Sequence, residues 1–139
     1  MDSKRLLERI ENGNLKLEDE FDGMTVHVEL EAADKLGMLL KSIRFDSSRP
    51  PARVEAALRK QAAAIVELNY LEDLKVVEVD GSANAVQIRS QKPSKEGFTE
   101  VILRHGTSVA LERRGSALHI SKQVFERLSD DLERICLIP

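Results

Sequence analysis

Tryptophan is absent from this chain, tyrosine occurs once and phenylalanine four times, so any core it builds must be largely aliphatic. Cysteine is almost absent too. The single Cys136 excludes an intramolecular disulfide and fits a reducing, cytoplasmic compartment. Long apolar runs are missing. Met1-Asp2-Ser3-Lys4-Arg5 leads straight into a charged pattern without the apolar stretch of a signal peptide, and no segment has the length and hydrophobicity of a membrane span. No membrane partner is expected. Nor is there an excess of positive charge, since Lys and Arg number 21 against 24 Asp and Glu, for a net charge of −3. A phosphate backbone is bound by a clustered positive surface, so nucleic acid is not an expected partner.

Chemical signatures are equally scarce. The chain has no Gly-x-Ser-x-Gly elbow, no phosphate-binding P-loop and no Gly-x-Gly-x-x-Gly turn. It has no His-x-x-x-His pair and no paired cysteines, so no metal and no cofactor is expected. Cys136 sits near the end of the last helical pattern, away from the cationic or N-terminal setting that activates a thiolate, and reads as a small apolar filler or a surface thiol. The acidic run Glu18-Asp19-Glu20-Phe21-Asp22-Gly23 lacks the alternating ligands of a calcium loop and reads as a solvated connection. His105 reads as a solvated turn residue. His27 and His119 fall on the polar sides of their strands, where either is a candidate proton carrier.

What is present is a balanced globular composition: 139 residues, 42% hydrophobic and 32% charged. Residues 1–139 read as a single domain, long enough to bury about two-thirds of its unfolded surface without a covalent staple. No repeat or low-complexity tract divides it.

Periodicity supplies the elements. Residues 3–12 read as a short helix, with Ser3 as cap, Leu6, Leu7 and Ile10 as stripe and Gly13 or Asn14 as stop. Met24, Val26, Val28 and Leu30 alternate with polar residues as in a half-buried strand. Residues 31–45 fit both periods, and a helix to about Ser42 is favoured because Ala32-Ala33-Asp34 starts one readily. After Pro50-Pro51 the longest helix runs from Ala52 to about Tyr70, its buried side carrying Val54, Leu58, Ile65 and Leu68. Strand periodicity then takes over, with a hairpin of residues 74–80 and 85–90 in which Val77 and Val79 face Val86 and Ile88. Ser121 caps a final helix striped by Val124, Phe125, Leu128, Leu132 and Ile135.

The strongest signal lies between Phe98 and Ile120. Arg104-His105-Gly106 reads as a three-residue hairpin loop that sets Leu103 opposite Thr107 and Val101 opposite Val109. Arg114-Gly115 reads as a second turn, pairing Leu111 with Leu118 and Val109 with Ile120. Both registers put Val101, Leu103, Val109, Leu111, Leu118 and Ile120 on one face. The expected class is α+β. A mainly antiparallel sheet of about five to six strands ends in this meander and is packed on one face by the long central helix and the C-terminal helix.

Two surfaces attract functional interest. The other face of the meander carries Phe98, Ile102 and Ala110 among Glu100, Glu112 and His119, a mixture suited to a protein interface. Arg44, Ser47, Ser48, Arg49 and Arg53 cluster about the start of the long helix, where an anion would find guanidinium donors and the helix dipole. The expected function is a non-catalytic cytosolic protein-interaction module of adaptor or chaperone type, acting on a protein partner or on itself as a homodimer. The alternative is a small-molecule or anion-binding protein, or an enzyme, using the Arg44–Arg53 region.

Overall fold

The computed structural model describes residues 3–91 and 96–139. Helix α1 (Ser3–Glu11) precedes strands β1 (Lys16–Phe21), β2 (Met24–Ala33) and β3 (Gly37–Ser47). Helix α2 (Val54–Val66) leads to strands β4 (Leu74–Asp80), β5 (Ala85–Ser90), β6 (Gly97–Arg104), β7 (Ser108–Gly115) and β8 (Leu118–Ser121). Helix α3 (Lys122–Cys136) closes the chain. The strands form one sheet of eight in the order β1-β2-β3-β7-β6-β5-β4, with β8 also paired to β3, and every pairing is antiparallel. The class is α+β, with more strands than the periodicity revealed.

One face of the sheet is apolar because its strands alternate faithfully. In β2, Met24, Val26, Val28 and Leu30 are all buried, while their neighbours are more open. The inward residues of β6 and β7, namely Val101, Leu103, Val109 and Leu111, are completely buried. Helix α2 packs over β4, β5 and β6, helix α3 over β3, β7 and β8, and α1 against α3. Their stripes meet the sheet in a single core, in which Phe45 and Phe125 are the largest fully buried side chains. Ser121 caps α3 as its sequence position suggests, its Oγ accepting from the Val124 N–H at 3.1 Å.

Residues 31–45 are not helical. They complete β2 and form most of β3. Glu29 pairs with Ser42 and Leu30 with Leu40, so Lys41 is an extra residue on β3. This slip separates the buried pair Met38 and Leu40 from Ile43 and Phe45 by three residues instead of two, which imitates a helical repeat. Leu36, part of the supposed helical stripe, is 85% exposed. The acidic run is not a connection either: it lies mostly in β1, where Leu17 turns inward and Lys16, Glu18 and Glu20 turn out. Helix α2 is shorter than the expected Ala52–Tyr70, although Leu68 beyond its end is still buried.

The hairpin of β6 and β7 forms with its register moved. Leu103 pairs with Val109 and Val101 with Leu111, two residues from the expected alignment. A shift by an even number leaves each side chain on its face, so the apolar surface survives. Arg114-Gly115 is not a reversal. The chain jogs there and continues in the same direction, so that β8 extends the line of β7 along β3, pairing Leu118 with Leu40 and Ile120 with Met38. The glycine serves a close approach instead: a Cβ on Gly115 would lie 2.3 Å from the Glu96 carbonyl oxygen. The turn expected at Arg114-Gly115 follows from the helix expected at residues 31–45. Without a strand at residues 37–47, β8 had only β7 to pair with.

Candidate docking surface

The three helices share the inner face, which leaves the outer face to solvent among the described residues. Cross-strand registers align its side chains in rows. One row runs Glu18, His27, Arg44, Ala110, Ile102, Gln87, Glu78, and the next runs Lys16, Glu29, Ser42, Glu112, Glu100, Arg89, Lys75. Charges of both signs alternate with small residues, the composition of a solvated sheet face.

Glu100 is the exception, since it is only 5% exposed. Gln87 donates to its Oε2 at 2.7 Å, Arg89 to the same oxygen at 3.2 Å, and Arg114 to Oε1 at 3.3 Å. Burial pushes the Glu100 carboxyl up, but the hydrogen bonds from Gln87, Arg114 and Arg89 outweigh it and hold the group below its ordinary range. Arg89 also lies over the Phe98 ring, 5.3 Å from its centroid, so the aromatic is masked by a cation. Ile102 and Ala110 pair across β6 and β7 and are partly covered by these neighbours. His119, exposed on β8 opposite Leu39, lies on a strand that does not pair with β6.

The residues of the expected anion site are divided. Arg44 points to the outer face, where its Nε meets Asp46 Oδ2 at 2.8 Å. Ser47 ends β3, Ser48, Arg49 and Arg53 follow it in the connection to α2, and the Ser47 hydroxyl serves the backbone. Ser47 Oγ accepts from the Arg49 N–H at 3.1 Å, and the Ser48 N–H donates to the Gly23 carbonyl at 2.8 Å. Arg53 occupies the N-cap of α2 without a side-chain cap. His27 sits 3.9 Å from Glu18 across β1 and β2, and His105 is exposed in the β6–β7 turn. Cys136 is 2% exposed, and burial first of all pushes its thiol up to about 12. Among the described residues no three His, Cys, Asp or Glu side chains cluster as metal ligands would, and no helix is long and apolar enough to cross a membrane.

Four of the seven exposed large hydrophobic residues described lie elsewhere, at the β4 edge and the end of α2. Among the described residues strand β4 pairs with β5 alone and is last in the strand order. Val76, Val77 and Val79 are 40%, 43% and 69% exposed, and Val66 at the end of α2 is 41% exposed. Val76 pairs with Ile88 and Val79 with Val86, so both face the helix side. The shift between Val76 and Glu78 makes Val77 an extra residue. Helix α2 stands off from this edge and leaves an open groove of about 650 Å³, walled by Leu58, Ala62, Ala63 and Val66 and floored by Val76 and Val79.

The connection between α2 and β4 is braced against the rest of the fold. Between α2 and β4, Tyr70 donates to Asp131 on α3 at 2.5 Å beneath the Arg127 guanidinium, 4.1 Å from the ring centroid. Desolvation and the Asp131 contact push the Tyr70 hydroxyl up, so it remains a donor. Glu72 joins Arg113 and Thr99, whose hydroxyl donates to it at 2.9 Å. Glu55 and Glu67 on α2 and Asp80 on β4 rim the groove, against a single Arg59 that already pairs with Glu55 at 3.6 Å.

Val79 faces Val86 as its spacing predicts yet is exposed, Val77 is the bulged residue instead of facing β5, and Val66 and Val76 are not among the sites expected from sequence. Three valines within four residues of a strand were the available signal. Whether such a strand is central or at an edge is not written in its own residues. No family model, curated protein or solved structure matches this chain.

Proposed function

We propose that this chain is a protein-interaction module whose docking surface is the groove between α2 and β4, in a cytoplasmic setting consistent with one unpaired cysteine. The observation that carries this reading is the run of exposed valines on the outermost strand. Apolar side chains on an unpaired sheet edge invite another chain. Continuity with the apolar wall of α2 makes the patch a concave surface rather than scattered exposure. The outer face, with its neutralising rows and masked Phe98, offers less to bind.

Selection of a displayed random-peptide library on the full chain tests the reading. Enriched peptides should be apolar, should lose binding to Val66→Glu and Val79→Lys proteins, and should retain it with Phe98→Glu. Absence of enrichment, or binders indifferent to the groove substitutions, would refute it. Sedimentation velocity at rising concentration then separates a foreign partner from a second copy.

A further inference from the structure

Among the described residues the strand order begins with β1 and ends with β4, and these two outer strands differ. Strand β1 presents Lys16, Glu18 and Glu20 outward, and its inward Leu17 is buried, so its edge is charged. Strand β4 presents Val76 and Val79 to the groove, with Val77 exposed between them. Of these two strands, β4 is the one that combines, among the described residues, backbone groups without a neighbouring strand and apolar side chains next to an apolar cavity.

We propose, resting on the interaction-module reading, that β4 accepts an extended segment of a partner polypeptide as an added strand, one with alternate apolar residues and lysine or arginine at its flanks. Backbone hydrogen bonds to the β4 edge hold such a strand, and pockets for every second side chain select it. Alternate residues of a strand lie about 7 Å apart on one face, so inward side chains would enter the groove beside Val76 and Val79. Charge sets the flanks. The N-terminal end of α2 lies near the β4–β5 turn, because the His105 N–H bonds to the Asn84 carbonyl at 2.7 Å and Gly106 packs on Pro51 and Ala57. Asp80 therefore marks one end of the groove and Glu67 the other, while Glu55 and Arg59 neutralise each other. Both ends favour a cation.

The test uses a fluorescein-labelled peptide that alternates valine and threonine between terminal lysines, read by fluorescence polarisation with the full chain. Saturable binding is expected. It should weaken about tenfold or more with Val79→Lys, with Glu67→Lys, with glutamates in place of the peptide's lysines, and with N-methylation of alternate peptide amides, since each step of about 1.4 kcal/mol is tenfold. Circular dichroism of both protein variants confirms folding, which their exposed positions should leave intact. A peptide that fails to bind, or binds equally when N-methylated, overturns strand addition. If library selection nonetheless yields helical peptides sensitive to Val79→Lys, the interaction-module reading stands without it; if selection also yields nothing, both fall.

Discussion

Glu100 lies directly opposite Glu112 across β6 and β7, and Arg114 bridges the two carboxylates at 3.3 and 3.1 Å. Like charges facing each other in a sheet repel. Here the repulsion is offset by a guanidinium on the same strand as Glu112 and by Gln87 and Arg89 on the other side of Glu100. The outer face is thus internally balanced at its most buried point.

Glu100 links stability to acid. Its carboxyl is held below the ordinary value of 4.5, so the folded protein binds that proton less readily than the unfolded chain. Its contribution is full above about pH 4.5 and is lost as pH falls through the depressed folded value. Denaturant titrations should show Glu100→Gln less stable than the parent at pH 7 by about 1–2 kcal/mol. The gap should close on acidification. A gap unchanged at pH 3 would contradict this account.

Gln61 is fully buried on α2 and donates from Nε2 to the Gly106 carbonyl at 3.1 Å and the Ile135 carbonyl at 3.2 Å. One side chain thereby ties α2 to the β6–β7 turn and to the end of α3. Its Oε1 has no hydrogen-bond partner. Gln61→Leu keeps the approximate volume and removes both bonds, and should lower unfolding free energy by about 2–3 kcal/mol. A loss under about 0.5 kcal/mol would show that the bonds contribute little.

Cys136 should be inert in the folded state. Its sulfur lies 3.6 Å from the Phe45 carbonyl oxygen and 3.3 Å from that of Thr107, inside the core. Alkylation by iodoacetamide at pH 8 should proceed only as fast as the thiol is exposed by opening, and denaturant should accelerate it greatly. Rapid stoichiometric labelling of the native protein would place the thiol at the surface.

Two glycines separate backbone conformation from close packing. Gly13 has φ +93° with nothing within 4 Å of a built Cβ, whereas Gly115 has φ +95° and the Glu96 oxygen at 2.3 Å. Gly13→Ala should cost about 1–2 kcal/mol from the left-handed backbone alone. Gly115→Ala should cost a further 1–3 kcal/mol or so from overpacking. Equal thermal midpoints for the two variants would mean that the approach of residues 96 and 115 is not tight.

The local grammar of the chain was legible wherever burial repeats at a constant period. Alternation alone defines the inward side of β2, the β4–β5 hairpin boundaries, and the common face of Val101, Leu103, Val109 and Leu111. The helical stripes of α1 and α3 and the Ser121 cap are legible for the same reason, because neighbours within one element decide them. Legibility failed at Lys41, where one extra residue breaks the period and makes a strand resemble a helix. That failure propagated to β8, whose partner is residues 37–40. It failed again at Val79, which is apolar and correctly spaced but 69% exposed.

Hydrophobic pattern records which side chains prefer burial. It is a property of residues near one another in sequence, and it determined the class, most elements and the inner face of this protein. Strand order belongs to pairings between distant segments. Only the assembled sheet decided that β3 stands between β2 and the line of β7 and β8, and that β4 ends the strand order beside a groove under α2, where valines that would be core in a central strand stay exposed.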